Sequence, residues 1–490
     1  MTAEESVFDC ALTCGLISGR RTHTMAVLKR IFIVTKLSIL CVFLGPLFMK
    51  AQITSINFDY LTVNEQPPNT NYLTILGDSL EPIGFLGTGA SIYHPRLPIY
   101  AGIRLNNAAW GVRAGYYTFG YHLGADIKCA NHFLIHPRIM FTSGGGAESH
   151  DGSGWFISPA LTLDRTFGNY SLGIGGQYSY VSTGIIQGSS VYVSLNKKVD
   201  FTKGLATPSH AQLFTNIVYS SVNEQSNGIG FIGIGGRVFH EHTYQSAYLT
   251  AAVTNLGGYM DVYGGYGIWN QLGAFRLLGE INLGTGGGGR APAGGGILFG
   301  SGLEAQYHVN NLFLGTSVGI LKSFDGPFYF SFVGAHLGTE FHFDSQNSQS
   351  RGYLPAFLVI ENSIRTYLGD SGFSNLGVAF QLYKRGLLSL RGESYWAFTD
   401  GRGAYAEGLF GLRIQQGWLY TEGQIGAGAG GGINLWNGAG LVFMNVGFDI
   451  PISGALTINP KVVYNVYSTT AFPKYGIQFG LGYNIPFTKR

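Results

Sequence analysis

The sequence predicts an all-β chain: a transmembrane antiparallel β-barrel built from three copies of a unit of about eight strands. Three observations carry that prediction. Side chains alternate with a period of two, one unit recurs along the chain, and the composition is poor in charge but rich in aromatics and glycine. Charged residues make up 12% and aromatics 14% of the 490 residues, which argues against disorder. The 75 glycines have no three-residue period, so collagen is excluded. A formal net charge of +3 with no dense basic patch gives no reason to expect nucleic acid.

The alternation is plainest in the last segment, GIQFGLGYNIPF. There Ile477, Phe479, Leu481, Tyr483, Ile485 and Phe487 alternate with Gln478, Gly480, Gly482, Asn484 and Pro486. One face is apolar and the other is polar or bare, as in a strand between two different environments. Near the start, Leu86, Thr88, Ala90 and Ile92 oppose Gly87, Gly89, Ser91 and Tyr93 in the same way.

The repeat is read from GFLGTGASIYHP at Gly84, GFIGIGGRVFHE at Gly230 and the weaker LGVAFQLYK at Leu376. Glycine runs start at Gly144, Gly286 and Gly428, each offset from the last by 142 residues. NYSLG at Asn169, NLFLG at Asn311 and SGALT at Ser453 keep that offset. The repeats are placed at 70–205, 206–347 and 348–490, and the glycine runs fall at the connection between fifth and sixth strands. Shorter turns such as FGN, VNN and ISG belong to the opposite end.

Residues 1–51 read as a signal-peptide region. Lys29, Arg30 and Lys36 precede an apolar stretch from Leu37 to Met49, and Met25 is an alternative start. Residues 52–69 are expected to form an N-terminal periplasmic segment outside the repeats. After cleavage near Gln52 only Cys129 remains, so no intramolecular disulfide is expected. Beyond the leader, no stretch of about 18 uninterrupted apolar residues suggests a membrane helix.

A soluble sandwich would show the same alternation. The membrane barrel is preferred because the apolar faces carry Tyr, Phe and Trp and the second faces are small and uncharged. The C-terminal strand also resembles the assembly signal of bacterial outer-membrane β-barrels, through Gln478, Gly480, Tyr483 and Ile485, followed by Phe487. It departs from that pattern by ending in Thr488, Lys489 and Arg490 rather than an aromatic. The resemblance implies the outer membrane, contact with its lipid, and handling by the barrel-assembly machinery.

One wide barrel of about 24 strands is favoured over three tandem eight-stranded barrels, because eight strands leave an interior that side chains must fill. The inward faces look too small for that, as in Ser171, Gly173, Gly175, Gln177 and Ser179. A wide barrel would need a lumen-filling protein or a transported polymer to keep the membrane sealed. Pro137, Pro159 and Pro460 fall within strands, where bulges are the mildest explanation.

Charges expected on lumen faces are Arg104, Arg113, Asp126, Lys128, Arg138, Arg276, Glu280, Arg391, Glu393 and Glu422. Arg138, Glu280 and Glu422 share one position in the three units. They read either as a selective constriction or, preferably, as pairs that neutralise one another across strands. Ser149, His150 and Asp151 stand side by side in a glycine-rich loop, but adjacent loop residues seldom converge on one reacting atom. His94, His240 and His242 do not make a threefold metal site, since Lys384 takes the third place. No cofactor or metal is expected. The function read from the sequence is a passive pore or export conduit. A non-conducting structural or surface-interaction barrel is the alternative, and a lipid-modifying barrel enzyme comes third.

Overall fold

The computed structural model describes residues 53–63, 83–94, 96–111, 113–146, 155–181, 187–200, 210–222, 228–288, 291–342, 357–367, 370–384, 388–397, 404–430, 440–453, 456–468 and 475–486. Strand is the only regular structure there. The proposed signal region, the loop with Ser149, His150 and Asp151, and Phe487 lie outside these residues.

The strands fall into three sheets. The first holds β1 (Ile53–Val63), β2 (Ile83–Tyr93), β3 (Ile99–Trp110), β4 (Tyr117–Ala125), β5 (Ile127–Ala130), β6 (Phe133–Gly145), β7 (Trp155–Phe167), β8 (Tyr170–Val181) and β9 (Gln187–Asp200). The second holds β10 (His210–Val222), β11 (Ile229–Phe239), β12 (Thr243–Ala252), β13 (Met260–Leu272), β14 (Phe275–Gly287), β15 (Ile297–Val309), β16 (Leu312–Ser323) and β17 (Tyr329–His342). The third holds β18 (Phe357–Tyr367), β19 (Asp370–Lys384), β20 (Leu388–Ala397), β21 (Ala404–Gln416), β22 (Leu419–Gly430), β23 (Gly440–Phe448), β24 (Ile450–Ser453), β25 (Leu456–Tyr467) and β26 (Tyr475–Pro486).

Each sheet closes on itself. In the middle one β10 pairs antiparallel with β17, from His210 opposite His342 to Val222 opposite Phe330. In the first, β1 pairs with β9 and β4 with β6. In the third, β18 pairs with β26 and β23 with β25. Short β5 is the continuation of β4: Gly124 faces Arg138 and Ile127 faces Ile135 in unbroken register, with Asp126 between them. β24 continues β23 past Asp449 in the same manner. Each ring therefore counts eight strands, and the single wide barrel is corrected to three narrow ones.

The reason is packing between neighbouring strands, which the inward face of one strand taken alone hides. Small inward residues are recesses for large ones on the adjacent strand. A Cβ on Gly124 would come within 2.5 Å of the Tyr100 ring, and one on Gly480 within 2.5 Å of Glu361 Oε1. A Cβ on Gly173 would run into Asp164. Glycine thus gives the narrow ring room for Arg, Tyr and Glu side chains.

The segment 52–69 is also corrected, because it supplies β1, a wall strand of the first ring. Eight strands cannot close without it. The prolines occasion no bulge. Pro137 and Pro460 sit beside the breaks at Asp126 and Asp449, and at Pro159 the β7–β8 ladder lapses between Ile157 and Ala160 with its register kept. A missing N–H costs nothing where the ladder is already interrupted.

The outer faces are apolar. Along β16, Leu312, Leu314, Val318 and Ile320 are exposed while Phe313, Gly315, Ser317 and Leu321 point in. Exposed aromatics Phe133, Phe167, Tyr170, Phe275, Tyr307 and Trp418 cluster beside the short turns, the position of an interfacial girdle. Those turns need left-handed backbone, supplied by Gly168, Gly273, Asn310 and Gly417.

The rings touch one another in a cycle. The third strand of each meets the fifth strand of another: β3 meets β14, β12 meets β22 and β20 meets β6. Such head-to-tail contacts close a ring of three. At the first of them, Gly115 takes φ +88°, and a Cβ there would strike the backbone of Gly287 and Gly288.

Candidate functional site: the interior of the middle barrel

Inside the middle barrel a polar chain runs along the wall. Arg276 Nη1 meets Glu340 Oε2 at 2.5 Å, and Gln212 Nε2 donates to Glu340 at 3.1 Å and to Gln306 Oε1 at 2.9 Å. Gln306 Nε2 donates to Glu304 Oε1 at 2.7 Å. Glu304 takes a fork from Arg237, with Nη1 at 3.1 Å and Nη2 at 2.5 Å. The remaining donors of Arg237 go to the Tyr248 hydroxyl at 3.2 and 2.6 Å, and that hydroxyl donates to Glu280 at 3.1 Å.

The pleat aims these groups inward. On β11, Gly233, Gly235, Arg237 and Phe239 share the inner face, so bare positions stand next to the guanidinium. Opposite, Gly315 leaves space for Glu304, whose Oε1 would lie 2.8 Å from a Cβ there. The guanidinium rests 4.4 Å from the Phe214 ring centroid, close enough for cation–π attraction. A buried, forked and stacked arginine is held by every contact available to it.

A cavity of about 70 Å³ opens above this pair, lined by Asn216, Tyr244, Tyr248, Glu280, Asn282 and Ser317 among others. Above the cavity the barrel is plugged by apolar side chains: Val218, Phe231, Tyr259, Leu298, Phe328 and Phe330. Ala291 and Ala293, from the glycine-rich β14–β15 connection, tuck into that plug.

The other two interiors are filled along similar lines. In the first barrel Asp164 accepts from Ser171 at 2.7 Å and Asn196 at 2.8 Å, and His136 lies between Asp126 at 2.7 Å and Asp164 at 3.4 Å. In the third, Arg365 pairs with Glu407 at 3.0 Å and Lys461 with Glu361 at 2.9 Å, while Arg413 pairs with Asp449. Among the described residues no three His, Cys, Asp or Glu side chains are grouped to hold a metal.

The sequence-predicted charges divide. Arg104, Arg138, Arg276, Glu280 and Glu422 do point into barrels, though into three separate ones. Arg104 Nε donates to Asn106 at 2.9 Å, Arg138 Nη2 to the Tyr192 hydroxyl at 3.3 Å, and Glu422 accepts from Asn445 at 3.0 Å. Asp126 lies in the break between β4 and β5 and faces His136 and Lys198. Arg113 is buried in the β3–β4 connection rather than on a strand. Lys128 is corrected: it is exposed on β5, where the strand extends past its break. The side chains of Arg391 and Glu393 on β20 lie outside the described residues.

In the proposed assembly signal, Gln478 is fully buried, donating to Glu361 at 3.1 Å and Ser363 at 2.7 Å and accepting from Arg365 at 3.0 Å. Gly480 gives Glu361 its room. Tyr483 and Ile485 lie on β26 opposite Ile360 and Leu358. His94 and His240 occupy turns after second strands of different barrels; His94 Nδ1 accepts from the N–H groups of Arg96 and Leu97 at 3.2 and 3.0 Å.

The partners Arg237, Glu304, Glu340, Glu361, Arg365, Glu407 and Lys461 were not singled out from the sequence. For Arg237 and Glu340 the signal is a single charge on an inner face otherwise made mostly of glycine and aromatic residues. Two serine–histidine contacts, Ser91 with His122 at 2.8 Å and Ser317 with His336 at 2.7 Å, are enclosed by barrel walls, where they satisfy buried polar atoms.

No protein-family model matches the sequence, and no curated protein matches it. Solved structures that match include an outer membrane protein and siderophore receptors of bacteria. The outer membrane protein OpdK from Pseudomonas aeruginosa is 8% identical, with 88% of this chain and 98% of that one covered and a TM-score of 0.23. The siderophore receptor PirA from Acinetobacter baumannii is 10% identical, with 88% and 80% covered and a TM-score of 0.27. The ferric enterobactin receptor PfeA from Pseudomonas aeruginosa, solved with enterobactin, is 8% identical, with 88% and 81% covered and a TM-score of 0.29. At these TM-scores the likeness says nothing about closure, pore or ligand. The chain's own closed walls, polar interiors and apolar exteriors give it the form of a membrane-spanning β-barrel.

Proposed function

We propose that this protein is a closed, membrane-embedded assembly of three narrow barrels, serving as a structural or surface-interaction element of the outer membrane rather than as a wide passive pore. The observation that carries this reading is the fully engaged Arg237–Glu304 pair across the interior of the middle barrel, with the Arg365–Glu407 and Lys461–Glu361 pairs both buried inside the third. Eight strands enclose about the space such side chains fill. A lumen-filling protein or exported polymer, needed by a wide barrel, has no role in this account. The C-terminal strand remains the proposed handle for the assembly machinery.

A second reading, passage of small solutes through the middle barrel, is favoured by its internal cavity and is taken up below. Single-channel recording on protein purified from membranes and reconstituted in a planar bilayer tests the primary reading. No large, stable conductance steps are expected. Such steps from folded protein would restore the passive pore.

A further inference from the structure

We propose that the cavity of the middle barrel is a chamber for a small, hydrogen-bond-donating cation of ammonium type, shut by a lid, Ala291–Gly296, that the first barrel helps to latch.

The lining decides the chemistry. The guanidinium nitrogens of Arg237 are already committed to Glu304 and Tyr248. Oxygens are left over: Asn216 Oδ1, Asn282 Oδ1 and Ser246 Oγ are buried without a partner. Asn216, with 4% of its surface exposed, and Asn282 both line the cavity. Around the recess left by Gly265, Ser246 Oγ, Asn282 Oδ1 and the Glu280 carboxylate converge on one point. Two carboxylates face a single guanidinium here, so a further cation is favoured and an anion is not.

The lid is held by identifiable bonds. The Asp325 carboxylate accepts from Gly295 N–H at 3.1 and 3.0 Å, and Ser323 Oγ donates to the Ala293 carbonyl at 2.9 Å. From the first barrel, Ala114 N–H donates to the Gly294 carbonyl at 3.3 Å, and the Ala114 carbonyl accepts from Gly288 at 3.2 Å. Ala293 is completely buried beneath them. The close approach at Gly115 that permits this latch leaves no room for a side chain. Opening the middle barrel therefore requires its neighbour to let go.

The inference goes beyond the closed-assembly reading, and its test is separate from bulk conductance. In protein with every native cysteine replaced by serine, Ser317→Cys places a thiol on the cavity wall. The reconstituted protein is treated with methanethiosulfonate reagents bearing ethylammonium or ethylsulfonate. With the lid intact both should react slowly. Asp325→Ala, which frees Gly295, should speed the ammonium reagent roughly tenfold or more, as expected when a closed state loses its advantage. The sulfonate should gain much less. Gly115→Ala, which displaces the latch from the first barrel, should act in the same direction if Asp325→Ala does not fold. Unchanged rates in a folded lid variant would overturn the lid, and faster sulfonate labelling would overturn the cation chamber.

Discussion

Arg237 shows what a single residue does in this molecule. Its charge is buried in a narrow barrel, and it persists there because Glu304 and Tyr248 take up its donors. Removing one partner strands the other. Arg237→Ala should destabilise the protein by about 3–5 kcal/mol, because Glu304 is left as a buried unpaired charge, whereas Arg237→Met with Glu304→Leu should recover most of the loss. Urea unfolding in detergent micelles measures both. If the double variant proves no more stable than the single one, the pair is not the unit that fills this barrel. At this scale the sequence was partly legible. Arg276 and Glu280 stood out as inward charges between apolar neighbours, but Arg237, Glu304 and Glu340 passed unmarked. A partner across a ring leaves no trace in local spacing.

At the scale of the strand, glycine separates into two uses. Inward glycines such as Gly267 are recesses: a Cβ there would press on the Tyr244 ring and on the Gly279 carbonyl at 2.5 Å. Gly423, on β22, meets nothing within 4 Å. Gly267→Ala should therefore cost about 1–3 kcal/mol through overpacking. Gly423→Ala should be neutral or stabilising by up to about 1 kcal/mol, because it narrows the unfolded ensemble. Equal effects, measured by denaturant midpoint, would contradict the recess argument. Alternation made the strands readable, and their faces too: Ile477 and Phe479 point out while Gln478 points in. What it missed was β1, although Ile56, Phe58 and Tyr60 alternate there with Asn57 and Asp59. The repeat could have supplied it, since β10 precedes the GFIGIGG strand in the middle unit and a counterpart must precede GFLGTG.

For the whole molecule the question is which strand edges meet. Local pattern fixes neither the partner of a first strand nor that of a last one, so one ring and three rings read alike along the chain. The small inward faces then favoured width, because the large residues that fill them lie on other strands. Among the described residues the first and last strands of each ring pair with one another, as a membrane barrel requires, and the cyclic contacts of the rings tie them into one assembly. Ser221 on β10 and Ser331 on β17 face each other across the closure of the middle ring, with their hydroxyls 3.3 Å apart. In a single wide barrel these strands would lie seven positions apart, about 34 Å along the wall at the usual strand spacing. The measurement is oxidative cross-linking of Ser221→Cys with Ser331→Cys, other cysteines replaced, followed by non-reducing electrophoresis of the folded protein. Three separate rings predict near-complete formation of the intramolecular disulfide. Failure of these two cysteines to join, in protein shown to be folded and inserted, would contradict closure of the middle barrel.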